Sequence, residues 1–133
     1  MVECWDADVP RGETTDLYGA VEAEEGEQVV FSWIDWESEE ACNKAHEKMM
    51  QDERMQSPPE DMPFDGKRMI YAGFEPLGEK GAGGATKYVN GYVAPVPREN
   101  KRAFADMCAA MRDMATDHGA LRAVDSWAET IED

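Results

Sequence analysis

The stretch Val29-Val30-Phe31-Ser32-Trp33-Ile34-Asp35-Trp36 gives the clearest fold signal in the chain, a β-strand that passes directly into a helix. β-Branched and aromatic residues dominate the strand, which we place at residues 27–36. Apolar side chains occupy both parities, so both faces of the strand should be covered. Ser38 follows as a helix N-cap, with Glu39 and Glu40 in the first turn, where acidic side chains favour the helix dipole.

The helix after Ser38 carries one apolar stripe at helical spacing. The residues of this stripe are Ala41, Cys42, Ala45 and Met49. We expect the helix to end near Arg54, because Pro58 and Pro59 cannot continue it.

Four further elements and one linker are predicted downstream. Strands are expected at residues 67–77, 88–96 and 121–127. One long helix is expected at residues 98–118. Gly119 is the expected C′ residue of that helix. The stripe Phe104, Met107, Cys108, Met111 and Ala115 should face the core. Residues 78–86 are rich in Gly and Ala, and predict a flexible linker.

Charge and size limit the classes of partner. The chain has 133 residues, one domain's worth, with 29 acidic and 13 basic residues and a net charge of -16. Phosphate-rich partners would be repelled, so we expect neither nucleic acid nor a membrane as a partner. An acidic start, Met1–Asp6, argues against a signal peptide, and a cytoplasmic location is expected. A saline habitat and an ordinary acidic protein remain alternative explanations of the charge.

The cysteines and histidines suggest no metal or cofactor. Cys4, Cys42 and Cys108 are far apart and fit free thiols in a reducing compartment. His46 and His118 are too isolated to suggest a zinc site. Cys42 and His46 share a helix face, and a structural pair is favoured there over a catalytic one.

One short internal similarity links the two ends of the chain. Val2-Glu3-Cys4-Trp5 resembles Val124-Asp125-Ser126-Trp127. Such a short similarity is weak by itself, and it gains weight from the family pattern described next.

Two segments, Met62–Tyr71 and Tyr88–Pro97, resemble the YbaA-like family, a bacterial family of unknown function. Val29–Trp33 and Gly119–Arg122 also match its pattern. The resemblance implies an α+β, ferredoxin-like antiparallel sheet with two helices on one face, in a dimeric α/β-barrel. The whole chain, residues 1–133, would then be a single domain.

The order of these segments differs from that of the family. The segment resembling residues 88–97 comes first in the family, and the segment resembling residues 62–71 comes last. The resemblance therefore implies a circular permutant, in which linker 78–86 joins the family's last and first strands. Each end of the chain then keeps a copy of one edge strand, and which copy fills the slot beside residues 29–36 is left open.

Six residues are candidates for a ligand site between sheets: Trp33, Asp35, Arg68, Tyr88, Asn90 and Tyr92. Tyr88, Asn90 and Tyr92 share a strand face by alternation, and are either site residues or dimer-core packing. Arg68 is either an anion clamp or a counter-charge on an acidic surface. Asp35 is either a base of raised pKa or a solvent-facing strand end.

No motif identifies a reaction, and no catalytic residue is predicted. Asn90 stands where the family pattern often has an acid, and it cannot titrate. We therefore expect a homodimeric small-molecule-binding or accessory protein whose ligand, if any, is small and apolar or aromatic. The alternatives are a cofactor-independent monooxygenase or isomerase, which rests on fold analogy, and a purely structural or interaction module.

Overall fold

The computed structural model describes residues 1–56 and 63–128. The chain forms two compact units, Met1–Ile70 and Tyr71–Asp133. Within the described residues the strands form antiparallel pairs, and helices accompany them. The prediction of an α+β protein with antiparallel sheet is confirmed.

The first unit is built on a two-stranded sheet of β1 (Val2–Trp5) and β2 (Val30–Trp33). The two strands run antiparallel, with Val2 opposite Trp33 and Trp5 opposite Val30. A short helix, α1 (Leu17–Ala20), lies in the connection between them. The N-terminal copy of the repeated strand therefore fills the slot beside the Val30–Trp33 strand.

Two helices follow β2 in the first unit, α2 (Glu39–Met50) and α3 (Glu53–Gln56). The predicted N-cap is confirmed, because the Ser38 hydroxyl accepts a hydrogen bond of 3.0 Å from the Ala41 amide. Pro58 and Pro59, which were expected to prevent the helix from continuing, lie outside the described residues. A 3₁₀ turn, Gly66–Arg68, then stands where the predicted strand 67–77 was expected to begin.

The second unit pairs β3 (Glu75–Lys80) with β4 (Ala123–Trp127), again antiparallel. A register shift between Pro76 and Gly78 marks a bulge in β3. Helix α4 (Lys101–Asp117), preceded by a 3₁₀ turn at Arg98–Asn100, joins the two strands and packs on both. The C-terminal copy of the repeated strand thus belongs to a different sheet from the N-terminal copy.

The end of α4 is a Schellman motif, as its sequence predicts. Gly119 has a φ of 106°, and its amide donates to the Thr116 carbonyl at 3.2 Å. The Ala120 amide donates to the Ala115 carbonyl at 2.9 Å. A left-handed residue is needed at this point, and glycine supplies it without a steric cost.

Two strand predictions are wrong. Residues 88–96 form no strand, and the strand predicted from residue 67 to 77 starts at Glu75 instead. Alternation identifies residues that suit a strand, but a strand also needs a neighbour for its backbone hydrogen bonds. Only residues from 75 onward find one, in β4. As a result, the first three residues of the predicted linker 78–86 are part of β3.

The predicted core stripe of α4 is only partly correct. Cys108 is 2% exposed, whereas Met107 and Met111 are 54% and 53% exposed. Two strands cover only part of the apolar surface of the helix, and the covered part is turned toward Cys108 and Arg112. Among the described residues, Val29 and Cys108 are the buried apolar side chains.

Candidate functional site

A polar cluster in the second unit joins β4, α4 and the irregular segment before α4. The Tyr92 hydroxyl donates a hydrogen bond of 2.8 Å to Asp125 Oδ1. Arg112 Nη1 donates a hydrogen bond of 2.6 Å to Asp125 Oδ2. The Cys108 sulfur lies 4.0 Å from the Tyr92 hydroxyl. One carboxylate thus holds both a phenol and a guanidinium.

Local structure explains why these side chains meet. Arg112 is four residues after Cys108, so both lie on the face of α4 that packs on the sheet. Ala123, Asp125 and Trp127 alternate with exposed residues along β4, so Asp125 points to the covered side. The side chains of Arg112 and Asp125 are only 11% and 12% exposed. This is a partly buried ion pair in which each charge has a partner.

Gly78 makes room for the guanidinium. A Cβ atom added at Gly78 would collide with Arg112 Nη2. Gly78 is also the residue of β3 that pairs with Asp125 in the ladder. The absence of a side chain at this position lets Arg112 lie against the strand and reach Asp125.

The electrostatics fix the protonation states of the cluster. Burial raises the pKa of the Asp125 carboxyl, but hydrogen bonds from Arg112, Tyr92 and Cys108 outweigh it and hold that pKa below its usual range. The hydrogen bond to Asp125, helped by burial, raises the pKa of Tyr92. Burial likewise raises the pKa of the Cys108 thiol. At neutral pH the cluster therefore contains a carboxylate, a phenol and a thiol.

The Tyr92 hydroxyl and its ring have different environments. The hydroxyl is fixed by Asp125, yet the residue as a whole is 66% exposed. Because the hydrogen bond already holds the ring in place, a molecule that binds to its exposed apolar face does not have to order the side chain, which reduces the entropic cost of binding. This arrangement suits stacking of an apolar or aromatic molecule.

The six sequence-predicted site residues are divided between the two units. Trp33, Asp35 and Arg68 belong to the first unit. Tyr88, Asn90 and Tyr92 belong to the irregular segment of the second, and Tyr92 is the one that joins the cluster. Arg112 and Asp125 were not singled out by sequence reasoning. One signal in the sequence could have pointed to Asp125: the two copies of the repeated strand carry an acidic residue at the same position, Glu3 in one and Asp125 in the other.

Arg68 is occupied by acidic side chains of its own unit. Its guanidinium donates to Glu27 at 2.5 and 2.8 Å, to Asp65 at 2.8 Å and to the Glu22 carbonyl at 3.0 Å. Its hydrogen bonds lower the pKa of Glu27 to about 2. The arrangement matches the counter-charge alternative, in which Arg68 ties residues 65–68 to the turn at 22–27.

Trp33 and Asp35 lie on and just after β2, with Trp33 half-buried and Asp35 exposed. The Trp33 ring packs against Phe31 at a centroid distance of 5.8 Å. Tyr88 is exposed in a segment without regular structure, as are Asn90 and Tyr92. The alternation that was to align these three residues on one strand face is therefore not present.

The Cys42 and His46 pair on α2 has the geometry of a packing contact. The Cys42 sulfur is 3.8 Å from both ring nitrogens of His46. Equal distances place the sulfur between the two nitrogens rather than along either lone pair. The Trp36 and His46 rings are nearly perpendicular, with their centroids 5.7 Å apart. The favoured structural interpretation of this pair fits this geometry.

The described part of the chain has neither a metal-binding cluster nor a membrane-spanning helix. Residues 1–56 and 63–128 contain no group of three His, Cys, Asp or Glu side chains arranged to hold a metal ion. Within the same residues, no helix is both long and apolar enough to cross a bilayer. A cleft of about 280 Å3, open to solvent, lies among residues 11–23 of the first unit and includes none of the predicted site residues.

Comparison with known proteins places the chain in a family. The sequence profile of "Protein of unknown function (DUF1428)" matches residues 1–66 and 87–133, so the chain belongs to this family. It is also 58% identical over 77 residues to the Uncharacterized protein YbaA of Escherichia coli strain K12, and to that of Escherichia coli O157:H7. The same identity is found with YbaA of Shigella flexneri. Each alignment covers 58% of this chain and 66% of the relative, just under two thirds of its length.

Proposed function

We propose that this protein is a cytoplasmic, homodimeric small-molecule-binding or accessory protein, and that its ligand stacks on Tyr92. One observation carries the ligand proposal: the Tyr92 hydroxyl is anchored on Asp125 at 2.8 Å while most of the residue is exposed. The ligand class is small, apolar or aromatic molecules, because the presented surface is a ring face. The free thiols of Cys4, Cys42 and Cys108 support a reducing compartment.

The cluster supports binding better than proton-transfer catalysis. A cofactor-independent monooxygenase or isomerase needs a base to take a proton from its substrate. Asp125 has a lowered pKa and is paired with Arg112, so it is a weak base. Tyr92 has a raised pKa and stays protonated. Asn90 cannot take a proton at all.

Exposed apolar residues support the homodimer. Each unit has two strands among its described residues, and sheets of two strands are marginal without further packing. Large apolar side chains remain exposed in both units, among them Val30, Ile70, Tyr71 and Val93. A second copy with two-fold symmetry would cover such surface and complete a ferredoxin-like sheet and dimeric α/β-barrel.

The two-segment family match supports the circular permutation. A permuted chain gives two separate matches, and the Gly/Ala linker lies in the unmatched residues 67–86. An inserted segment would also give two matches. The order in which residues 1–66 and 87–133 align to the family profile separates the two explanations, and a reversed order is expected.

The ligand proposal is tested with N-phenyl-1-naphthylamine, a neutral aromatic probe whose fluorescence rises on binding. Wild-type protein should bind it saturably. Tyr92→Leu should weaken binding about tenfold or more, and Tyr92→Phe, which keeps the ring but loses its anchoring hydrogen bond, by a smaller factor. Tyr71→Leu removes another exposed tyrosine of the same unit and is the matched control. Absence of saturable binding, or equal losses in Tyr92→Leu and Tyr71→Leu, would refute the site.

A further inference from the structure

Strand β2 has one edge that no other strand covers in the part of the chain that the structure describes, because its sheet consists of β1 and β2 alone. The Asp6 amide donates to the Val29 carbonyl at 3.1 Å, so the backbone groups of Val29 point toward β1. In an antiparallel ladder the backbone groups of successive residues point alternately to the two sides. The N–H and C=O groups of Val30 and Ser32 therefore point away from β1. We call this side of β2 the open edge.

The open edge lies in a run of residues without charge. The chain has a net charge of -16, yet residues 28–34 contain no charged side chain and no proline. Val30 is 56% exposed, and Phe31 and Ile34 are exposed as well. Edge strands of soluble proteins normally carry charged side chains or proline, which prevent pairing with another chain. The open edge has neither, so it is suited to pairing with a strand of another chain.

The sequence of this run fits a second copy of itself. In antiparallel pairing about a two-fold axis at Ser32, the two Ser32 residues lie opposite each other and exchange both N–H···O=C hydrogen bonds. Phe31 then lies opposite the partner's Trp33, and Val30 lies opposite the partner's Ile34. Aromatic and aliphatic pairs of this kind stabilise neighbouring strands. Because a two-fold axis repeats each contact, both chains gain the same pairs.

A second long uncharged run, residues 88–97, suits the open edge less well. Its Tyr92 hydroxyl is already fixed on Asp125 at 2.8 Å. Its Pro95 has no N–H group to give to a ladder. Residues 28–34 have neither restriction and are already extended in β2, so the β2 of a second copy is the better occupant.

We infer that the open edge is the interface of the homodimer, where β2 of one chain pairs antiparallel with β2 of a second chain. Two sheets of two strands then become one sheet of four, which is large enough to be stable where a lone pair is marginal. The rings of Phe31 and Trp33, 5.8 Å apart in one chain, would continue as one aromatic row across the interface. The inference rests on the proposed homodimer and does not involve Tyr92.

The first experiment removes one backbone donor from the open edge. Ser32→Pro deletes the N–H at the centre of the interface in both chains, while the ladder between β1 and β2 keeps its hydrogen bonds. Glu3→Pro is the matched control, because Glu3 lies directly opposite Ser32 in the ladder and its N–H points to the other edge of the sheet. Analytical ultracentrifugation should show that Ser32→Pro raises the dimer dissociation constant about tenfold or more, and Glu3→Pro less than about threefold. Circular dichroism checks that each variant is folded.

The second experiment uses the wild-type protein and needs no variant. Amide hydrogen exchange is followed residue by residue by NMR, at protein concentrations above and below the dissociation constant of the dimer. Exchange at Val30 and Ser32 should slow when the dimer forms, because their N–H groups become hydrogen-bonded. Exchange at Glu3 and Trp5, whose N–H groups point to the other edge, should not change with concentration.

Three results would overturn the inference, and they are distinguishable. A wild-type protein that is monomeric at micromolar concentration would refute both the homodimer and this interface. A stable dimer in which the Ser32 amide exchanges freely, or which Ser32→Pro leaves intact, would refute the interface alone. Slow exchange at residues 88–96 together with Ser32 would assign the open edge to that segment.

Discussion

Arg112 on α4 and Asp125 on β4 form an ion pair of 2.6 Å that is shielded from solvent on both sides. The pair joins the helix to β4. Because both charges are largely shielded from water, each depends on the other.

Removing one member of this pair should destabilise the second unit strongly. Arg112→Met leaves the partly buried Asp125 carboxylate without a counter-charge and should cost about 2 kcal/mol. The double variant Arg112→Met with Asp125→Leu should cost less, because no buried charge remains. Urea unfolding followed by tryptophan fluorescence measures both. The exposed pair Lys80–Asp113 is the control, since solvent screens it and Lys80→Met should cost much less than Arg112→Met. Equal losses from Arg112→Met and Lys80→Met would contradict the buried pair.

A methyl group at Gly78 should act through the same ion pair. Gly78→Ala places a carbon against Arg112 Nη2 and pushes the guanidinium away from Asp125. We expect a loss of about 1–3 kcal/mol in unfolding free energy. Gly73→Ala, where nothing lies within 4 Å of the added carbon, should change stability by about 0.5 kcal/mol or less.

The Gly78 prediction has an internal check by double-mutant cycle. In an Arg112→Met background the guanidinium is gone, so Gly78→Ala should lose most of its effect. An unchanged cost in that background would mean that the methyl group acts through the β3 backbone instead.

Acid should weaken the first unit through Glu27. The pKa of Glu27 in the folded protein is lowered from its ordinary 4.5 to about 2 by the hydrogen bonds from Arg68 and from the Glu24 amide. A lowered folded pKa means that the stabilisation is complete above about pH 4.5 and is lost as the pH falls through about 2. Unfolding midpoints measured over this window should fall more steeply for wild type than for Glu27→Gln or Arg68→Met. Parallel curves for all three proteins would rule out this contribution.

Salt should raise the melting temperature. With 29 acidic and 13 basic residues, repulsion within the chain opposes compaction at low ionic strength. Molar salt shortens the screening length to about 3 Å and removes most of that repulsion. Differential scanning calorimetry between about 0.05 and 2 M sodium chloride should show a rising melting temperature. A melting temperature that stays constant or falls as salt is added would mean that charge repulsion is not the main effect of the acidic residues on stability.

The N-terminal strand should be needed by its own unit. Deletion of residues 1–5 removes β1 and leaves β2 without its partner among the described residues. Since β4 is held by β3 and by Arg112, we expect it not to replace β1. The deletion variant should aggregate or lose the unfolding transition of the first unit. A deletion variant as stable as wild type would mean that the C-terminal copy can serve both sheets.

The ends of the helices could be predicted from the sequence, whereas the pairing of the strands could not. Ser38 caps α2 and Gly119 ends α4 because each acts on backbone groups within a few residues of itself. The strand predicted at residues 88–96 failed because its formation depends on a neighbour that alternation does not specify. Both copies of the repeated strand are strands, but the sequence left open which partner each one takes.

The candidate site was predicted only through Tyr92. Asp125 and Arg112 are 13 residues apart in sequence, on different elements, and neither belongs to a recognisable motif. Their contact depends on how α4 is rotated on its sheet, and the sequence predicted a rotation that buries Met107 and Met111. The wide apolar surface of α4 allowed both rotations, so the polar partner of Tyr92 was not found.

The pairing of β1 with β2 has a consequence for the order of events during synthesis. Both strands lie within residues 2–33, so their sheet can close when Trp33 has left the ribosome and α4 has not yet been translated. The C-terminal copy emerges last and meets a slot that is already taken, which leaves β3 as its partner. We therefore expect the order of translation to decide between the two similar strands, which share a valine and a tryptophan at matching positions. Ribosome-bound chains arrested after residue 75 should already protect the amides of β1 from hydrogen exchange.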